Sequence, residues 1–291
     1  MDPLENSTKI PAGRLFIVGT PIGNLEDITL RAIRILKDVG LIACEDTRRT
    51  QKLLVHYQIK TPTISYHEHN EMTRAPELVI KMEEGTSIAL VTDAGMPVVS
   101  DPGFRLVHLA IRHNVPVIPV PGASAFVAAL SASGMPVDKF RFLGFLPSKK
   151  TARRKALEEQ TTATKTLVFY EAPHRIIETL KDVQNILGDR EVVLAREVTK
   201  IHEEFLRGTV SAILGRLKSR TIRGEFTLLV GAPSTDAEVP PSDSPIKQEI
   251  ESLMAERGID HRTALKTAAK ARGISRSEAY RLLQTEKTEQ L

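Results

Sequence analysis

Carboxylates recur in this chain where short apolar runs end. Glu45 and Asp46 follow Leu41-Ile42-Ala43, with Arg48 close behind. Glu68 lies just beyond Thr63-Ile64-Ser65, and Glu171 follows the run Thr166 to Phe169, with Arg175 after it. The richest such point is Val91-Thr92-Asp93-Ala94-Gly95-Met96-Pro97-Val98-Val99-Ser100-Asp101-Pro102-Gly103, which follows Ser87-Ile88-Ala89-Leu90. A carboxylate in a cleft can serve as a general base, and an arginine can position a phosphate. Each acid can equally form an ion pair that only fixes a loop, and residue types do not decide between these readings. Glycine lets backbone approach a ligand and proline holds it in one shape. The stretch 91–103 therefore reads as a rigid loop presenting backbone groups and Asp93. Its plain alternative is a tight strand-to-helix turn with Asp101 near the helix N-terminus. His67 and His69 lack a clear third ligand, so no metal is expected.

Nucleotide phosphates fit poorly. Gly19-Thr20-Pro21-Ile22-Gly23 follows a strand and opens a helix, but its glycine spacing is not that of a dinucleotide fingerprint. Pro21 also lacks the backbone N–H that a pyrophosphate would use. No G-x-x-x-x-G-K-[ST] loop is present. These features favour a ligand without phosphate.

The elements that must position these loops alternate. Strands read at Arg14 to Val18, Leu41 to Ala43, Thr63 to Ser65, Ser87 to Thr92 and Val117-Ile118, with helical spacing between them. That pattern predicts a parallel sheet covered on both faces. Pro119-Val120-Pro121-Gly122 marks a boundary, and Ser124 is placed to N-cap a helix over Ala125 to Ala132. Beyond it, strands at Phe140–Phe145, Thr166–Phe169, Glu191–Ala195 and Phe226–Val230, with helices at Ile176–Leu187 and Val210–Leu217, predict a mixed sheet.

The fold class is thus α/β, with a disordered segment at 1–12, α/β domains at 13–121 and 122–232, and a linker at 233–245. A small helix-turn-helix-like domain follows at 246–291. Its helices read around Ala264 to Ala271 and Arg276 to Leu283, and Lys and Arg outnumber acids there. The 291 residues are 41% hydrophobic, with a net charge of +4 and a single cysteine, Cys44. A disulfide within the chain and a cysteine-based zinc site are excluded. The absence of an apolar run of spanning length leads to the expectation of a soluble, cytoplasmic protein with no membrane partner.

Seven segments in order carry a resemblance to a known family. They are Val18-Gly19-Thr20-Pro21-Ile22-Gly23-Asn24, Glu45-Asp46-Thr47-Arg48, His67-Glu68-His69-Asn70-Glu71, the 92–103 loop, Pro119-Val120-Pro121-Gly122, Phe169-Tyr170-Glu171-Ala172-Pro173-His174-Arg175 and Arg223-Gly224-Glu225. With them the chain resembles the tetrapyrrole methylase superfamily, and within it the ribosomal RNA small subunit methyltransferase I family. Thr92 stands where Ser is common and Met96 where Thr is common, which argues against a hydroxyl role at 96.

The resemblance implies two α/β domains of the tetrapyrrole methylase type with a cofactor cleft between them, and S-adenosylmethionine as methyl donor. It implies 2′-O-methylation of a cytidine in the decoding centre of 16S rRNA within the 30S subunit, and a homodimer. The cofactor-binding candidates are Thr20, Pro21, Asp93, Ala94, Gly95, Met96, Ser124, Ala125, Glu171, Ala172 and Thr227. Glu45, Asp46, Arg48 and Glu171 are the catalytic candidates, with the base unassigned. Lys149, Lys150, Arg153, Arg154 and Lys155 form a basic cluster suited to RNA phosphates, joined by Lys266, Lys270, Arg272 and Arg276 of the tail. Two alternatives stand beside this reading. One is a methyltransferase of the same superfamily acting on a porphyrinoid, and the other is a nucleic-acid-binding regulator built on the terminal helices.

Overall fold

A computed structural model describes residues 13–218, 220–233, 245–272 and 274–288. The segment expected to be disordered at 1–12 and most of the linker at 233–245 lie outside them. The chain divides into two compact units, the first running to Pro233 and the second following it.

The first unit opens with β1 (Leu15–Val18), α1 (Leu30–Asp38), β2 (Leu41–Cys44), α2 (Thr47–His56), β3 (Thr63–Ser65), α3 (Glu71–Glu83), β4 (Ile88–Val91), α4 (Phe104–Arg112) and β5 (Val117–Val120). The five strands pair in parallel in the order β3-β2-β4-β1-β5. Central β1 and β4 read LFIV and IALV and are buried throughout, as strands covered on both faces must be. Phe16, Val18, Ile42 and Val91 pack against α1 and α2 on one face. Leu15, Ile17, Ala43 and Leu90 pack against α3 and α4 on the other. The chain leaves β1 for a helix on one face and β4 for a helix on the opposite face. Adjacent strands whose connections part in this way open a crevice at their carboxyl ends. Two backbone hydrogen bonds tie the departing loops together, Thr20 N to Gly95 O at 2.9 Å and Gly95 N to Thr20 O at 3.1 Å.

A second sheet follows in the same unit. It comprises α5 (Ala125–Ser131), β6 (Phe140–Phe145), α6 (Lys150–Glu158), β7 (Thr166–Glu171), α7 (Ile176–Leu187), β8 (Glu191–Arg196), β9 (Glu204–Thr209), α8 (Val210–Leu217) and β10 (Phe226–Val230). The strand order is β6-β7-β10-β8-β9; β6 and β7 are parallel and the remaining pairs antiparallel. This is the mixed sheet the sequence predicts. One face is covered by α7 and α8 around Leu167, Phe169, Leu194 and Leu228. On the other face, Ala129 and Leu130 of α5 pack with Val168, Val193 and Leu229. Ser124 stands at the N-cap of α5 without the side-chain hydrogen bond expected of it.

Two elements go beyond the sequence reading. Edge strand β9, EFLRGT, offers little apolar alternation and is defined by its six-residue pairing with β8. Helix α6 occupies the basic segment, and only Arg153 and Leu157 of it are buried.

The second unit is three helices, α9 (Ile246–Arg257), α10 (His261–Ala271) and α11 (Arg276–Thr288). Ile246, Ile250, Leu265, Ala268 and Leu283 form its core. Among the described residues no helix is long and apolar enough to cross a membrane.

Candidate active site

The crevice at the carboxyl ends of β1 and β4 faces the β7 and β10 side of the second sheet. Between them lies a cavity of about 440 Å³, a size suited to a small-molecule ligand. Nine residues expected at a cofactor line it: Asp93, Ala94, Gly95, Met96, Ser124, Ala125, Glu171, Ala172 and Thr227. Thr20 and Pro21 line an adjoining hollow of about 290 Å³, which shares Ile22, Arg49, Asp93 and Ala94 with the first. The sequence-distant loops meet because their backbones nearly touch. A Cβ on Gly19 would stand 2.7 Å from the Gly122 Cα, so only glycine permits the approach. Gly95 has φ +85°, a conformation that side chains other than glycine rarely adopt.

The acids around this cavity divide sharply. Asp46, a catalytic candidate, caps α2 by accepting from Arg48 N at 2.9 Å, and also holds Arg48 Nη2 at 2.9 Å. These hydrogen bonds pull its carboxyl down to about 2, and neither Asp46 nor Arg48 lines the cavity. The pair fixes a helix start, which corrects the catalytic expectation for both. Glu171 lines the cavity, but its side chain is fully buried and both oxygens are occupied. Oε1 accepts from Arg175 Nε at 2.8 Å and from Ala172 N at 2.8 Å, while Oε2 accepts from Thr179 Oγ1 at 2.6 Å. Glu171, one of the catalytic candidates, is therefore tied into the wall with no oxygen left free to act as a base.

Asp93 is held as well. Its Oδ1 accepts from Asp46 N at 3.2 Å, and its Oδ2 pairs with Arg49 Nη1 at 2.9 Å. Glu45 lines the cavity, and its carboxyl is raised by burial and then by the Asp93 charge. Asp101, which the sequence places only near a helix N-terminus, is also in the wall. Burial, followed by the Glu45 and Asp93 charges, pushes its carboxyl up to about 7. Arg49, Phe145 and Tyr170 were passed over. The Tyr170 hydroxyl accepts from Phe126 N at 3.3 Å, and its ring lies 5.4 Å from that of Phe145. Phe145 is 57% exposed at the cavity. Nothing in the sequence marks Phe145, because its exposure is apparent only in the fold.

The basic cluster also divides. Lys149, Lys150, Arg154 and Lys155 are exposed. Arg153 is 1% exposed, donating from Nε to Asp182 at 2.8 Å and pairing with Glu178 at 3.4 Å. It is a buried bond between α6 and α7, which corrects its expected role as a phosphate contact. In the second unit Lys266 is exposed. Arg272 donates to Glu249 at 2.7 Å and holds α9, so it too departs from the expected phosphate contact. The side chains of Lys270 and Arg276 lie outside the described residues.

Comparison with known proteins places these features. The model of the tetrapyrrole (corrin/porphyrin) methylases matches residues 14–214. The chain is 48% identical over 280 residues to a protein of Halalkalibacterium halodurans named ribosomal RNA small subunit methyltransferase I, covering 94% of this chain and 96% of that one. A Bacillus subtilis protein of the same name is 44% identical, with 94% of each chain covered. A Thermotoga maritima protein of that name is 48% identical over 98% of its length but only 75% of this chain, so it does without about a quarter of it. Among solved structures, cobalt precorrin-4 methyltransferase superposes with a TM-score of 0.57 at 19% identity, over 76% of this chain and 97% of that one. Uroporphyrin-III C-methyltransferase from Thermus thermophilus does so with 0.52 at 21%, over 75% and 94%. These two show a shared fold.

Proposed function

Because the chain belongs to the tetrapyrrole (corrin/porphyrin) methylase family, we propose that it uses S-adenosylmethionine to methylate the 2′-oxygen of a cytidine in the decoding centre of 16S rRNA. The observation that carries this reading is the cavity. It gathers backbone of the 93–96 loop, apolar Ile22, Met96 and Phe226, and five carboxylates (Glu45, Asp93, Asp101, Glu171 and Glu225), with no phosphate-binding loop. That set fits a cationic, phosphate-free adenosine derivative. When bound, the cofactor supplies a methyl group on positively charged sulfur. Asp93–Met96 hold it from the first sheet, Ser124 and Ala125 close it at the junction, and Ala172 and Thr227 face it from the second. Glu45, Asp93 and Asp101 give the cavity the negative potential a sulfonium needs. The exposed cations of α6 follow Phe145 in sequence and provide phosphate contacts for RNA.

The names of the relatives at 42–48% identity support an rRNA substrate over a porphyrinoid, the class the fold neighbours' titles name. A regulator built on the terminal helices would leave the cavity without a purpose. The homodimer belongs to the same reading: Val127, Val137 and Phe140 are apolar side chains left exposed, and a monomeric mass in sedimentation would remove it. Titration with S-adenosylmethionine, followed by binding to 30S subunits, free rRNA, duplex DNA and a porphyrinoid, tests the assignment. Cofactor binding with preference for 30S subunits supports it; binding of a porphyrinoid or duplex DNA instead rejects it.

A further inference from the structure

Resting on that functional reading, we infer that Asp101 is the base that accepts the proton of the attacking ribose hydroxyl. The other carboxylates at these loops each have a bonded partner or a nearby cation. Asp46 is bound to Arg48 and the start of α2. Glu171 is bound to Arg175, Thr179 and Ala172 N. Asp93 is bound to Arg49 and Asp46 N. Glu45 is within reach of the Arg49 charge, which opposes the rise from its burial, whereas no cation acts on Asp101; Glu225, also in the wall, is bound to Lys200. Asp101 lines the cavity, and among the described residues its carboxylate has no hydrogen-bond or ion-pair partner.

Its position is enforced. Val98 has φ +75° and Ser100 φ +67°, a region costly for L-residues and for a β-branched one above all. Strain of this kind persists only where the surroundings impose it. Here the loop from the first sheet is pressed against the second: a Cβ on Gly144 of β6 would lie 2.9 Å from Ser100 Oγ. Asp101 is thereby set beside Tyr170 of β7, whose hydroxyl feels its charge. The groups facing it are Glu45 from the loop after β2, Asp93 from the loop after β4 with Arg49 of α2 behind it, and Tyr170.

The step balances with these parts. The ribose oxygen forms a bond to the methyl carbon as the carbon–sulfur bond breaks and its electron pair returns to sulfur. The hydroxyl proton passes to Asp101 and leaves for solvent when the products depart. A carboxyl held up to about 7 exists in both forms at neutral pH, as a proton acceptor for this step should. Arg49 stays with Asp93, so the negative charge on Asp101 is not cancelled.

The test is Asp101→Asn, close to isosteric, studied in the full-length protein. Single-turnover methyl transfer to undermethylated 30S subunits falls by about 10²-fold or more, while affinity for S-adenosylhomocysteine, the uncharged product, stays within about twofold. The wild-type rate climbs about tenfold per pH unit in acid and levels below pH 7, because the bound sulfonium favours ionised Asp101; the variant loses that limb. In the cofactor-free protein, carboxyl carbon NMR shows one aspartate titrating near neutrality, absent from the variant. Ribose methylation with an unchanged rate and pH profile in the variant would overturn the role of Asp101 alone. A methyl placed on a base would overturn the functional reading and this role together.

Discussion

The two sheets treat their acids in opposite ways. The first delivers Glu45, Asp93 and Asp101 to the cavity from loops at the ends of parallel strands. Of these, only Asp93 forms an ion pair, with Arg49. On the second sheet the buried and cavity-facing acids are paired: Glu171 with Arg175, Asp182 with Arg153, and Glu197 and Glu225 with Lys200. The physical consequence is a division of labour. The first sheet supplies electrostatic potential and a titrating group, and the second supplies a rigid, apolar and aromatic wall. Within the cavity wall, Glu45 and Asp101 are the carboxylates without an ion pair among the described residues.

The largest way to break this contrast acts on the first sheet. Gly95→Val leaves room for the Cβ, whose nearest neighbour would be Ile22 Cγ2 at 3.5 Å, but forces a β-branched residue to φ +85°. Strain of about 1–3 kcal/mol and a side chain beside the ligand should together lower S-adenosylmethionine affinity by at least about 100-fold in calorimetry, with circular dichroism unchanged. On the second sheet, Arg153→Ala leaves Asp182 buried without its cation. Stability should drop by about 3–5 kcal/mol in urea unfolding, while the salt dependence of 30S binding stays as in wild type.

Replacing Lys149, Lys150, Arg154 and Lys155 with Ala should do the reverse. The log–log salt slope of 30S binding flattens by roughly 0.7–0.9 for each phosphate that is no longer neutralised, with cofactor affinity and folding stability intact. An unchanged slope would make these residues a solvated helix face. The smallest effect sharpens the contrast through pH. The fold raises the Asp101 carboxyl from 3.8 to about 7, so folding favours its protonated form. The stability this contributes is full below about pH 4 and is lost as pH rises through 7. Asp101→Asn should therefore unfold at higher denaturant than wild type at pH 8, and the gap should close at pH 4. Destabilisation at pH 8 would refute the uncompensated charge.

Much of the fold was legible because its signals are local. The buried runs of β1 and β4, the glycine and proline loops behind them and the change of pattern after Val120 all lie within a few residues of what they specify. Nine cavity residues followed from the resemblance. What escaped depends on partners distant in sequence. Arg153 looks like its neighbours Arg154 and Lys155 until Asp182, 29 positions away, meets it across α6 and α7. Asp101 looks like a helix-start residue until the second sheet closes over its loop. Glu171 and Arg175 are only four residues apart, and the sequence left open whether they pair; the burial that decides it comes from the packing of α7 on the second sheet. Strand β9 is apparent only from its pairing with β8.

The most direct test is to supply methyl-labelled S-adenosylmethionine and undermethylated 30S subunits, digest the rRNA, and identify the labelled nucleoside. The account predicts one methyl per subunit, on the 2′-oxygen of a single cytidine in the decoding centre, and none without the cofactor. Label on a base atom, or no label on 30S subunits alongside transfer to a porphyrinoid, would contradict it.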